Sequence, residues 1–184
     1  MSSIFAPQEV VGPRLKLRLV APRDADYIHG LRTAPAYNAH LSAVSGTAED
    51  QRRWIEAYKA REAEGVEFYY IIARRDDGRR CGVVRLYDIE GDHFTWGSWI
   101  LDANKPQKAA LESAVLIYQI GFDHLGLSRA VFDVRRENER TLAFHRRFGA
   151  SETGGDDENL YFDYPRARHE ADLGRHLAIL EETE

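Results

Sequence analysis

Residues 67–101, EFYYIIARRDDGRRCGVVRLYDIEGDHFTWGSWIL, continue at 102–125 as DANKPQKAALESAVLIYQIGFDHL, and together these two stretches decide the fold. The first holds three apolar runs rich in Tyr, Ile, Val and Trp. Asp76-Asp77-Gly78 and Glu90-Gly91-Asp92 separate them. Those tripeptides carry the chemistry of tight turns, so 67–101 reads as three successive antiparallel strands. From Gln107 the period changes. Leu111, Ala114, Val115, Tyr118, Phe122 and Leu125 recur at helical spacing, and Gly126 stops the run.

Upstream, residues 14–21, RLKLRLVA, alternate polar and apolar side chains, as a half-buried strand does. Pro22-Arg23-Asp24 breaks it, and Asp24 is expected to cap a helix running to about Arg32. The stretch 33–47 is small and polar around Tyr37 and His40, which predicts a long, substrate-facing loop. Thr47 and Asp50 have the spacing of a capping box for a second helix, with Trp54, Tyr58 and Arg61 on one face. Downstream come a strand at 129–135, a short helix at 138–147, a strand at 159–164 and a polar helix at about 167–182. The order predicts an α+β fold: a mixed, mostly antiparallel sheet with one parallel pair, flanked by helices. We expect one domain over 1–166 and a helical extension over 167–184. Leu173, Leu177 and Leu180 lie on one side of that helix. They can seat on the body or on a second copy, which leaves a homodimer open.

With 184 residues, 43% of them hydrophobic, the chain supports one well-buried core. A net charge of −5 and a pI near 5.8 show no basic excess, so no nucleic-acid partner is expected. No run approaches the roughly 20 apolar residues of a spanning helix, and none at the N-terminus has secretory character, so no membrane partner is expected and the chain reads as cytoplasmic. Cys81, the single cysteine, fits a reducing compartment and reads as a small apolar strand residue. Cys-x-x-Cys and His-x-x-x-His spacings are absent, so no metal is expected; nor is there a Walker loop or a Gly-x-Ser-x-Gly elbow.

Two segments carry a resemblance to the GNAT acyltransferase superfamily, extending over about 14–165. One is Trp99-Ile-Leu-Asp-Ala-Asn-Lys-Pro-Gln-Lys-Ala-Ala-Leu-Glu-Ser, a strand turning into a long helix. The other is Asn138-Glu-Arg-Thr-Leu-Ala-Phe-His-Arg-Arg-Phe-Gly-Ala. A helix N-terminus offers unpaired backbone N–H groups and partial positive charge to a pyrophosphate. The family's phosphate loop reads Arg/Gln-x-x-Gly-x-Gly/Ala, and Lys105-Pro106-Gln107-Lys108-Ala109-Ala110 overlays it, with Lys108 in place of the first Gly. The resemblance implies acetyl-CoA as co-substrate, held by Lys105, Gln107, Lys108, Ala109 and Ala110 at its phosphates and by Trp99, Ile100 and Leu101 along its pantetheine arm. Asn138 and Phe144 are implied at the same arm. The family's thiolate-protonating Tyr corresponds to His145 here, and a His is able to serve as that acid. Arg146 and Arg147 beside it are expected to lower its pKa.

The acceptor amine must lose a proton, and Asp88 is the expected base among Asp88, Glu90, Asp92 and His93. Tyr37, His40, Tyr87 and Trp96 are expected to line the acceptor pocket. Trp96 and Trp99, three apart on one strand, are expected on opposite faces of the sheet. The Phe-His-x-x-Phe-Gly-Ala ending resembles a branch associated with surface-polysaccharide and amino-sugar pathways. The implied function is direct acetyl transfer to a primary amine of a small molecule such as an amino sugar. Acylation of a protein or peptide N-terminus, or acetyl-CoA binding without turnover, are the alternatives. The acidic overall charge favours a cationic or neutral acceptor.

Overall fold

The computed structural model describes residues 6–39 and 46–182. Its strands are β1 (Glu9–Val11), β2 (Leu15–Leu19), β3 (Phe68–Arg74), β4 (Arg80–Glu90), β5 (His93–Leu101), β6 (Arg129–Arg135), β7 (Ser151–Gly155) and β8 (Asn159–Pro165). The helices are α1 (Ala25–Thr33), α2 (Pro35–Asn38), α3 (Ala48–Ala63), α4 (Ala109–Tyr118), α5 (Glu139–Phe148) and α6 (Arg166–Glu181). The strands form one sheet in the order β1-β2-β3-β4-β5-β6-β8-β7. Among the described residues only β5 and β6 run parallel. The expected meander appears at β3–β5, as do the helix after it and the antiparallel-dominated α+β sheet. The short outer strands β1 and β7 went unpredicted: β1 has only three residues, and β7, SETGG, is exposed throughout with no apolar alternation to read.

Each sheet face buries its own core. On one, α4, α5 and α6 cover Leu15, Tyr70, Val84, Phe94, Trp96, Phe132 and Phe162. On the other, α1 and α3 cover Tyr69, Ile71, Val83 and Ile100. α4 passes into a wider π-helical turn over Gln119–His124. Gly121 is required there, because a Cβ would lie 2.3 Å from the Phe94 ring. Leu180 is fully buried in the first core, with Leu173 and Leu177 packed against it, so α6 seats its leucines on the body.

Asp24 departs from its expected role. Its carboxylate does not cap α1. It accepts from the Ala21 backbone N–H at 2.9 Å and grips Arg18 at 2.8 and 2.9 Å, with Arg80 at 3.3 Å. Thr47 and Asp50 form the expected capping box of α3. Trp54, Tyr58 and Arg61 share a face, the two rings stacked at 5.8 Å and the guanidinium over Trp54 at 5.2 Å.

Candidate active site

β5 and β6 pair only at His93↔Arg129 and Phe94↔Ala130 and then diverge. Downstream of Phe94, β5 keeps β4 on one side and presents its other edge to a cleft of about 300 Å³. Trp96, Gly97, Ser98 and Trp99 of β5, Asp133 and Arg135 of β6, and His145 of α5 line it. So do Arg32 and Tyr87, which belong to the α1/α3 side. With α5 on one sheet face and α1 on the other, the cleft passes through the sheet where the strands part.

A bulge shapes its floor. Val83 opposes Ile100 and Arg85 opposes Gly97, so Ser98 and Trp99 together face Val84. Ser98 takes the left-handed conformation (φ 47°). The extra residue flips the alternation, and Trp96 and Trp99 share a face with ring centroids 5.1 Å apart, which corrects the expectation of opposite faces. Their indoles donate to Tyr118 and Ser113, each at 3.1 Å.

His145 is 4% exposed and sits among rings: Phe132 at 4.5 Å, Phe144 and Trp96 at 5.5 Å, Trp99 at 6.1 Å. Burial pushes its pKa down to about 3, so the ring is neutral at physiological pH. The cause is desolvation among aromatic groups and not, as the sequence suggested, the adjacent arginines. The ring therefore lines the cleft as a neutral imidazole. Asn138 also lines the cleft, while its Oδ1 accepts from Thr141 N at 3.3 Å and caps α5. Phe144 packs on Trp99 at 5.1 Å.

At the start of α4, Lys108 adopts φ 62°, the left-handed geometry for which glycine is the usual residue. No side chain caps this helix, so its first-turn N–H groups stay open. Lys108 does not aim its charge at them: Nζ donates to the carbonyls of Ile179 (2.7 Å) and Glu182 (3.1 Å) at the end of α6. Its expected role as a point charge for phosphate is corrected by that contact. Lys105 and Gln107 instead open onto a cavity of about 530 Å³ that Arg14, Arg74 and Arg75 also line. Glu112, 1% exposed in the first turn of α4, accepts from Leu15 N (2.6 Å) and Arg14 N (2.9 Å) and ties the helix start to β2. Ala109 is buried and Ala110 half-buried beside it. Ile100 turns its side chain into the second core and Leu101 packs against the first, so neither side chain lines the cleft.

On the acceptor side, Tyr87 and Trp96 line the cleft as expected. Tyr37 packs against the second core instead, and His40 lies outside the described residues. Asp88 sits in a second bulge at φ 47°, exposed, and lines an adjoining groove rather than the cleft. Asp133 lines both. Arg32, Asp133, Arg135, Thr141 and Asn159 are cleft residues that sequence reasoning missed. The alternation of RAVFDVR puts Asp133 on the polar phase of its strand, a signal that was there to be read. Among the described residues no group of three or more His, Cys, Asp or Glu is placed to hold a metal, and no helix is long and apolar enough to cross a membrane.

A family model described as an acetyltransferase (GNAT) domain matches residues 14–151. No curated protein sequence matches the chain. Among solved structures, one described as apo FdhC, a nucleotide-linked sugar GNAT, is 38% identical with a TM-score of 0.86, covering 91% of this chain and 96% of its own. Spermidine N-acetyltransferase from Vibrio cholerae, solved with CoA and spermine, is 14% identical with a TM-score of 0.75 over 86% of this chain and 99% of its own. The ribosomal-protein-S5-alanine acetyltransferase from Vibrio fischeri is 13% identical at a TM-score of 0.74, covering 85% and 96%. The last two share the fold alone.

Proposed function

The chain belongs to the GNAT acetyltransferase family and is an N-acetyltransferase; on that premise we propose that it transfers acetyl from acetyl-CoA directly to the primary amine of a nucleotide-linked amino sugar. The observation that carries the reading is the through-sheet cleft at the β5–β6 divergence. Its lining draws on both faces of the sheet, so two reactants can meet there. The 38% identity to a nucleotide-linked sugar GNAT supports the acceptor class.

The residues present fit an acyl-CoA. The free edge of β5 offers amide groups to the pantetheine arm in the manner of an added strand, and Asn138 lines the same passage. The uncapped α4 start and the Lys105–Gln107 cavity suit its phosphates. Bound acetyl-CoA supplies an activated thioester. In the transfer a C–N bond forms and the C–S bond breaks, and the amine gives up a proton. Backbone N–H groups near the Ser98 bulge are suited to polarise the carbonyl. Asp133, on the wall shared by cleft and groove, accepts the amine proton in this reading, displacing Asp88 from that role. His145 serves as a neutral hydrogen-bonding group toward the sulfur. Cys81 takes no part: it is buried, and its thiol is pushed up to about 12. We read the setting as cytoplasmic, where acetyl-CoA and sugar nucleotides meet.

CoA release across nucleotide-linked amino sugars, free amino sugars, spermidine and peptides tests the proposal. The first group should show the highest kcat/KM. A preference for spermidine or a peptide would replace the acceptor class. A raised Tm with acetyl-CoA but no turnover would point to a binding module.

A further inference from the structure

The net charge of the protein is −5, yet the charges around the cleft have the opposite balance. Arg32 and Arg135 face one carboxylate, Asp133, and the ring of His145 is neutral. A polyamine, cationic along its whole length, is poorly matched to such a lining; an amine that also carries anionic groups is well matched.

The two arginines are not equivalent. Arg135 is exposed on β6. Arg32, in the last turn of α1, is half-buried on the acceptor side, and no carboxylate lies within ion-pairing distance of it among the described residues. Its neighbours are ion-paired by contrast. Arg85 and Arg61 both bind Glu67, at 2.5 and 2.6 Å. That shared carboxylate leaves the pair with an excess positive charge, and Arg85 lies 4.1 Å over the ring of cleft-lining Tyr87. Next to Arg32 the Tyr69 hydroxyl is buried, a neutral phenol within reach of the guanidinium with no well-aligned hydrogen bond between them. Both Arg32 and Arg85 act on it electrostatically, opposing the rise in pKa that burial causes. A half-desolvated guanidinium without a counter-charge is costly unless a ligand supplies one.

We infer that Arg32 is the anion-recognising residue of the acceptor site and holds the diphosphate of the nucleotide-linked amine, with the excess charge of the Arg85–Glu67–Arg61 cluster behind it. The inference rests on the acceptor class proposed above and adds the residue that selects it. The guanidinium fork suits a phosphate through paired N–H donors. The diphosphate of CoA is kept apart from this one, since the α4 start and the Lys105–Gln107 cavity are separate from the Arg32 cleft.

The test uses protein saturated with CoA, so that the donor's own phosphates cannot report. UDP and dTDP are titrated calorimetrically into wild type, Arg32→Met and Arg32→Lys. Wild type should bind at least one of them. Arg32→Met should weaken it roughly 10- to 100-fold, the worth of a charge-assisted hydrogen bond, and Arg32→Lys should recover part of the loss. CoA affinity should stay unchanged in both variants, and the Tm of ligand-free Arg32→Met should not fall, since the costly unpaired charge is gone. Steady-state kinetics give the second arm. Arg32→Met should raise KM for a nucleotide-linked amino sugar by a similar factor and leave KM for the free amino sugar alone. Failure of both nucleotides to bind CoA-saturated wild type, equal binding by Arg32→Met, or a matching loss of CoA affinity would each overturn the inference. Turnover of nucleotide-linked amino sugars with KM untouched by Arg32→Met would sink it while sparing the acceptor class. Absence of any such turnover by wild type would sink the acceptor class itself.

Discussion

The two strand-to-helix turns beside the cleft solve the same problem in opposite ways. After β6, Asn138 folds its side chain over the start of α5 and satisfies a backbone N–H. After β5, Lys108 takes left-handed backbone geometry, no side chain caps α4, and its ammonium serves the far end of α6. One helix start is closed and structural; the other is held open by its neighbours. Glu112 and Lys108 both brace the open turn without filling it, binding β2 and α6. An open helix start that the fold goes to such lengths to position is suited to an anion from outside.

The sharpest way to break this contrast is to reverse the charge at the open turn. Lys108→Glu should raise the Kd for acetyl-CoA about 10- to 100-fold, since it puts a carboxylate beside the phosphate loop and faces carbonyls at the end of α6. Calorimetry reads the change, and an unaltered Kd would remove this turn from the phosphate site.

A second expectation concerns the buried face of α5. His145 titrates lower in the folded chain than unfolded, so the unfolded chain binds more protons between about pH 3 and about 6.5. Stability from this group is complete above that window and falls as pH drops through it, by at most about 1.4 kcal/mol per unit. Denaturant unfolding at pH 7 and pH 5 should differ by about 2 kcal/mol from this cause, and His145→Phe should remove most of the difference. His145→Phe should also lower kcat more than it changes the KM for acetyl-CoA.

Removing the closed cap is a smaller change. Asn138→Ala should cost about 1 kcal/mol of stability, the usual worth of an N-cap, visible as a lower midpoint in urea. The smallest effect should come from Lys108→Gly. It relieves left-handed strain worth roughly 1–2 kcal/mol but loses the contact to α6, so Tm should hardly move and acetyl-CoA affinity should stay within about threefold. A large loss of affinity would show that the lysine, and not the backbone, binds the phosphates.

Much of this architecture was legible in the chain. Turn tripeptides at 76–78 and 90–92 and the change of period after Gln107 marked β3 to α4 closely, because local propensity and burial agree there. The cleft was less legible. Trp99 is the plainest case: alternation predicts the wrong face, and a single left-handed Ser98 reverses it. Lys108 is another, for nothing in its sequence neighbourhood announces a helix end 71 residues away. Arg32 sits at the end of a short helix and Asp133 on a strand, and only the divergence of β5 from β6 makes them neighbours.

The sequence by itself determined the order of the main elements and the positions of both strand-to-helix turns, since these follow from the spacing of apolar side chains and from turn-forming residues. Tertiary structure alone decided the phase of the tryptophans, the neutrality of His145, the use to which Lys108 is put, and the presence of Arg32 and Asp133 in one cleft. Those depend on bulges, desolvation and contacts between residues far apart in the chain, which no local pattern encodes.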